Sequence, residues 1–136
     1  MIFLELCIAS RSEEISKVAD AVESFGKANR IPRNVAHDMS VSLDEVLSNI
    51  ISYACAVRTI RVRLAAADRQ LIANVDDDGK PFNPLMAAPP DLSGSMKDRA
   101  IGGLGIHFVK TLMDHVAYVR CGDRNCLELK KSFDSI

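Results

Sequence analysis

The sequence predicts an α/β sandwich in which a mixed, mostly antiparallel sheet carries helices on one face. Three observations predict it. Short apolar or alternating runs that read as strands recur at the start, middle and end of the chain. Two longer stretches, one beginning near Ser12 and one at Arg33, carry apolar residues at helical spacing. The resulting order, β-α-α-β-β-loop-α-β-β, leaves two amphipathic helices whose apolar faces have only the sheet to cover.

The 136 residues are read as one domain, 1–136, long enough to bury a substantial core. Hydrophobic residues make up 48% and charged ones 26%, the balance of an ordinary soluble protein. A net charge of −1 provides no basic footprint, so direct nucleic-acid binding and an anionic membrane are not expected as partners. The start, Met1 to Glu5, has no basic n-region, and Glu5 interrupts its apolar run, which argues against a signal peptide. No apolar stretch approaches the roughly 20 residues of a membrane span. A cytoplasmic protein is expected.

Taken in order, Ile2–Ala9 is a short apolar strand in which Glu5 fits an edge or a wet face. Ser10 or Ser12 opens a helix carrying Ile15, Val18, Ala19, Val22 and Phe25 at helical spacing, with Gly26 near its end. After Ile31 and Pro32, a long second helix runs from Arg33 to about Ala56. Its apolar face holds Val35, Met39, Leu43, Val46, Leu47, Ile50, Ile51 and Ala54. Asp38, Ser42, Glu45, Asn49 and Tyr53 form a polar stripe bordering that face, which places them toward a cavity beside the core. Thr59–Ala67 and Gln70–Val75 read as a hairpin turning at Asp68 and Arg69. Leu85–Ala100, with Pro89, Pro90 and Gly94, reads as a mobile loop, and loops this long are usually functional or disordered. A third helix starts at the glycines 102–105 and carries Leu104, Phe108, Val109, Leu112 and Met113. Val116–Cys121 and Cys126–Phe133 close the chain as a second hairpin.

The four cysteines, Cys7, Cys55, Cys121 and Cys126, contain no C-x-x-C, which argues against zinc. Cys121 and Cys126 flank a hairpin loop, Gly122–Asn125, and can face one another across it. In a reducing compartment all four are expected as small buried or half-buried residues.

Three stretches carry chemistry. Asp76–Pro84, DDDGKPFNP, ends the strand at Val75, and Pro81 and Pro84 keep regular structure from resuming. Asp77, two residues before Gly79, is a carboxylate at a strand end that can accept from an exocyclic amine such as adenine presents. A lone Asp-Gly is equally a surface turn. Calcium is disfavoured, because an EF-hand alternates its ligands and needs a distant Glu. Glu45 and Asn49 are four apart and share a helix face. Asn49 offers a hard oxygen to Mg²⁺ alongside phosphate, and Glu45 can take a proton from a hydroxyl or water. A solvated Glu and a helix-interior Asn are the plain alternative. Gly102, Gly103, Leu104 and Gly105 stand where a loop becomes a helix, so backbone amides and the helix dipole can meet a phosphate chain. The stretch is neither a Walker loop nor a Rossmann fingerprint.

Together the three stretches, E-x-x-x-N, D-x-G-x-P-F-x-P and G-G-L-G-I, resemble the N, G1 and G2 boxes of the GHKL ATP-binding superfamily. Pro81 and Phe82, and a chain without a dimerisation helix pair, make it similar to the anti-sigma-factor serine/threonine kinase branch (RsbW type). The resemblance implies the histidine-kinase-like ATPase (Bergerat) fold with ATP and Mg²⁺ as cofactors. It implies Glu45 as general base, Asn49 as the Mg²⁺ ligand, Asp77 on the adenine amine and Gly79 giving room beneath the base. The amides around Gly103, Gly105 and their neighbours, Ile106 included, would hold phosphates, and 85–100 would be the ATP lid. Asn83 replaces a common Asp and Tyr53 a common His. Arg99 stands where it can reach a γ-phosphate or remain solvated.

The function so implied is an ATP-binding anti-sigma factor that phosphorylates an anti-anti-sigma antagonist of STAS type, with the sigma factor as second partner and a homodimer as the assembly. Two alternatives stay open. One is an ATP-gated, non-catalytic partner-binding module. The other is a histidine kinase catalytic domain, for which His37 followed by Asp38 is the nearest motif.

Overall fold

The computed structural model describes residues 2–86 and 105–134. Strand β1 (Ile2–Ala9) leads through a 3-10 turn, Ser12–Glu14, into helix α1 (Ile15–Ala28), and α2 follows over Arg33–Tyr53. The hairpin β2 (Thr59–Ala67) and β3 (Gln70–Asp77) comes next, then helix α3 over 105–112, and the hairpin β4 (His115–Cys121) and β5 (Arg124–Ser132). The strands form one sheet in the order β1-β2-β3-β5-β4, and every pairing is antiparallel. The parallel pair that a mixed sheet would contain is absent among the described residues, because each neighbouring pair is either a hairpin or a long return.

Alternation decides which side of each strand meets the helices. Ile60, Val62 and Leu64 of β2, Leu71, Ala73 and Val75 of β3, and Leu127 and Leu129 of β5 are all buried in one core. Met39, Leu43, Val46 and Leu47 of α2 lie in the same core with no exposure. Burying each such side chain is worth roughly 1.5–3 kcal/mol, and this holds α2 although no side chain caps its N-terminus. Gly26 lets α1 approach α2, since a Cβ there would sit 3.1 Å from that of Ala36.

The largest boundary differences from the sequence reading are three, and the start of β4 and the end of β5 each shift by one residue besides. Helix α2 ends at Tyr53, where Ala54 takes an extended ψ of 149°, and Ala56 then adopts a left-handed φ of 63° on the way to β2. Strand β3 continues through Asp76 and Asp77, which pair with Arg61 and Ile60. The last turn is only Gly122 and Asp123, with Gly122 at φ 60°, so Arg124 and Asn125 already belong to β5. The turn at Asp68 and Arg69 stands as expected, with both residues at positive φ.

The cysteines correct the sequence reading: Cys7, Cys55 and Cys121 are exposed, and only Cys126 is half-buried. Cys7, Cys121 and Cys126 point to the face of the sheet that the helices do not cover. Across that face the register runs Cys7, Arg61, Asp76, Cys126, Val119 in one row. No described helix is long and apolar enough to cross a membrane.

Candidate functional site

The three consecutive acids have three different fates, set by where each leaves the strand. Asp76 points to the open face and is 4% exposed. Its carboxylate accepts from Arg61 Nη2 at 2.5 Å, Arg61 Nε at 3.1 Å and Arg124 Nε at 3.2 Å. Asp78 lies past the strand end, where its Oδ1 accepts from the amides of Arg58 and Thr59 at 2.9 and 3.2 Å. The Arg58 amide in particular holds its carboxyl below the usual carboxylate range. Asp77 follows the inward parity of Val75, is 1% exposed, and uses only Oδ1: it accepts from Gly79 N at 2.8 Å and from Asn125 Nδ2 at 2.9 Å. Among the described residues Oδ2 makes no bond, so one oxygen of a buried carboxylate remains to accept from a ligand.

The loop after Asp77 is pinned from three directions. Lys80 N donates to the Cys55 carbonyl at 3.0 Å, and Arg120 Nη1 donates to the Gly79 carbonyl at 2.8 Å. Asn83 Oδ1 accepts from Leu85 N at 2.9 Å, a local turn that an Asp would make equally well. Gly79 must be glycine here because a Cβ would fall 2.5 Å from Val57 Cγ2 and 2.8 Å from the Cys55 carbonyl. The room it gives is thus already occupied by the connection between α2 and β2. Phe82 is half-buried against the core, whereas Pro81 is exposed.

The hub of this arrangement is Asn125, which the sequence reading did not single out. It is 2% exposed and makes four bonds. Its Oδ1 accepts from Phe82 N at 3.0 Å and from the Tyr118 hydroxyl at 2.5 Å, and its Nδ2 donates to Asp77 Oδ1 and to the Lys80 carbonyl at 2.8 Å. A signal did exist: Asn125, Leu127 and Leu129 share one strand parity, so an Asn sits in line with two core leucines. Asp77, Asn125, Tyr118, Pro84, Ile50 and Val75 line a narrow cleft at this end of the sheet. A larger cavity of about 480 Å³ lies elsewhere, between α1 and α2, lined by Gly26, Ala36 and His37 among others. The bonding chemistry is at the narrow cleft.

Helix α2 supplies the other wall. Asn49 is 9% exposed and donates from Nδ2 to the Pro84 carbonyl at 3.1 Å, which ties the loop to α2 and presents Oδ1 as the remaining polar atom. Asn49 Oδ1 fits a magnesium site only with help from phosphate oxygens. Among the described residues no three His, Cys, Asp or Glu side chains stand together to hold a metal. Glu45 is half-buried, and its carboxyl is raised above the ordinary value, first by burial and then by the Asp44 charge. Gly105, the first described residue of α3, is buried against it. A Cβ on Gly105 would overlap the Glu45 carboxylate, reaching 2.8 Å from its Cδ. Glu45 therefore reaches the first described turn of α3, and Ile106 beside Gly105 is buried at 4% exposure.

Of the remaining polar stripe on α2, Ser42 is fully buried with no partner for its hydroxyl among the described residues, and Tyr53 is 47% exposed. Asp38 pairs with Lys131 Nζ at 3.5 Å, which also donates to the Leu112 carbonyl at 2.7 Å and so fastens the end of α3. Arg99, Gly102, Gly103 and Leu104, and the expected lid from residue 87 onward, lie outside the described residues.

An antiparallel sheet, a buried Asp at a strand end, an Asn on the facing helix and Gly105 as the first described residue of α3 thus meet at one end of an α/β sandwich. The chain belongs to the histidine kinase-like ATPase domain family, which it matches over residues 8–131. Membership implies ATP as the nucleotide. The serine/threonine-protein kinase BtrW of Bordetella bronchiseptica is 26% identical over 111 residues, covering 79% of this chain and 78% of that protein. The crystal structure of the RsbU and RsbW domains of a Mycobacterium tuberculosis protein superposes with a TM-score of 0.68 at 14% identity. That match covers 97% of this chain, which spans 32% of the larger chain. The histidine kinase AdeS of Acinetobacter baumannii gives a TM-score of 0.50 at 13% identity, over 99% of this chain and 70% of that one. Both structural likenesses concern the fold.

Proposed function

We propose that the chain binds Mg·ATP between α2 and the end of β3 and acts as a protein serine/threonine kinase in an anti-sigma switch. The observation that carries this reading is the contact of Glu45 with Gly105. A carboxylate with a raised pKa lies against the first described residue of α3, the helix that would receive phosphates, and a module for binding alone has no use for a base there. Asp77 Oδ2 would accept from the adenine amine, with Asn125 and Gly79 holding the carboxylate in place. Asn49 would hold the magnesium ion, whose charge offsets that of the phosphates when bound. Residues 85–100 would close over the nucleotide, with Arg99 near its terminal phosphate.

In the transfer itself, a Ser or Thr hydroxyl oxygen of the partner forms the new bond to the γ-phosphorus, and the bond to the ADP oxygen breaks. The hydroxyl proton goes to Glu45. The partner would be a STAS-type anti-anti-sigma factor, which in its unphosphorylated form competes with a sigma factor for the kinase. This part of the reading draws on the resemblance to the RsbW branch and on the kinase named among the relatives.

Calorimetric titration of ATP and ADP, with and without Mg²⁺, into wild type and Asp77→Asn tests the site. Magnesium-dependent binding that is lost in Asp77→Asn supports it, and no binding under any condition rejects it. Labelled ATP with a candidate STAS partner then separates kinase from binding module. Phosphoserine or phosphothreonine formed by wild type but not by Glu45→Ala supports the kinase. Binding without transfer supports the ATP-gated module, and acid-labile phosphohistidine supports the histidine-kinase alternative.

A further inference from the structure

We infer that Cys121 and Cys126 are a redox modification site: a cross-strand thiol pair that hydrogen peroxide converts to a disulfide, displacing Asn125 and weakening nucleotide binding. The inference rests on the proposed nucleotide site for its second half only.

The geometry comes from the register of the last hairpin. Cys121 pairs with Arg124 and Val119 with Cys126, so the two cysteines are diagonal neighbours whose side chains share the open face of the sheet. No described helix covers that face. Cys121 is exposed and meets an oxidant first, while Cys126 is half-buried beside it. Burial, followed by the neighbouring Cys121 thiol, pushes Cys126 up to about 11; Asp76 adds to this and Arg124 opposes it. Cys126 thus stays protonated and is not the thiol that peroxide meets first; exposure gives that role to Cys121, and adjacency leaves Cys126 to resolve the sulfenic acid. The Cys121 sulfur takes one peroxide oxygen as the O–O bond breaks, giving a sulfenic acid and one water. The Cys126 sulfur then displaces that oxygen, forming the S–S bond and releasing the second water. Two thiols are oxidised and one peroxide is reduced.

The consequence follows from what lies between the two cysteines. Diagonal positions in an antiparallel ladder are about 7–8 Å apart, whereas a disulfide wants Cα atoms about 4.4–6.8 Å apart. Closing the bond must pull the strands together or shear them at Arg124 and Asn125. Asn125 holds Asp77, Phe82 and Lys80, Arg124 holds Asp76, and Arg120 on the opposite strand holds the Gly79 carbonyl. An exposed bond made under strain is also easily reduced, which suits a reversible switch.

The test uses the whole chain, with peroxide as the oxidant and dithiothreitol to reverse it. Intact mass and peptide mapping after mild peroxide are expected to show a loss of two hydrogens and a linked 121–126 peptide, restored by dithiothreitol. Cys121→Ser should abolish the link, and Cys7→Ser should leave it unchanged. A dimer linked between chains, a sulfinic acid at Cys121, or no change would each overturn the inference. The ATP dissociation constant is then compared for reduced and oxidised protein, with a rise of about fivefold or more expected from disturbing a hydrogen bond to a charged group. Equal affinities would overturn the coupling to the site. Failure of the reduced protein to bind ATP at all would instead reject the proposed function and leave the thiol chemistry standing.

Discussion

Asn125 should be worth more to this fold than any other single polar side chain, and Asn125→Ala measures how much. The side chain is 2% exposed and makes four bonds, one of them to the Asp77 carboxylate. A neutral bond contributes about 0.5–1.5 kcal/mol net and one to a charged group about 1.5–3 kcal/mol. These are not additive, because Tyr118 and Lys80 can turn to water at the cleft, so a total near 3 kcal/mol is the working figure. For a domain of this size that corresponds to a fall in Tm of roughly 10 °C, with the fold retained if total stability lies in the usual range of about 5–15 kcal/mol. Urea denaturation followed by circular dichroism gives the free energy directly. Asn125→Asp separates the bonds from the volume. It keeps both acceptor contacts but sets a carboxylate against Asp77, so its loss should be large at pH 7 and shrink as acidification protonates one of the two. A cost below about 1 kcal/mol for Asn125→Ala, or a pH-independent cost for Asn125→Asp, would refute the assignment of Asn125 as the hub.

Other outcomes follow from the same geometry. Asp77→Asn keeps one oxygen to accept from Gly79 N and Asn125 Nδ2 but replaces the remaining, ligand-facing oxygen by an amide donor, so ATP affinity should drop at least tenfold while circular dichroism is unchanged; unaltered affinity by calorimetry would remove Asp77 from the site. Burial raises Glu45, so its contribution to folding is full below the unfolded Glu pKa of about 4.3 and is lost as pH rises through the folded value. Glu45→Gln should therefore raise the urea midpoint relative to wild type at pH 7, with the gain vanishing near pH 4, while phosphotransfer is abolished. In wild type the acid limb of the transfer rate should lie above the ordinary carboxylate range, and a limb at or below that range would contradict Glu45 as the base. Gly105→Ala meets only the flexible end of Glu45, so thermal stability should change little, yet phosphotransfer should fall by at least an order of magnitude because the carboxylate is pushed aside. Wild-type rates in Gly105→Ala would separate Glu45 from the chemistry.

The sequence by itself determined the strands and helices, because periodicity is a local property: apolar residues two apart on β2, β3 and β5, and three or four apart on α1 and α2, specify which side must be covered. The resemblance of its motifs implied one site for Glu45, Asn49, Asp77 and Gly105; in the fold Glu45 lies against Gly105 and Asn49 is tied to the loop after Asp77. Only the tertiary structure decided how the three acids differ. Arg61 and Arg124 neutralise Asp76, two backbone amides at the start of β2 occupy Asp78, and Asp77 keeps a buried oxygen that makes no bond among the described residues. The inward parity of Asn125 was legible beside Leu127 and Leu129, but its role as hub was not. Its partners lie 43 to 48 residues away on other elements, apart from Tyr118 across the hairpin, and no local pattern encodes a bond that exists only once β5 has been laid beside β3.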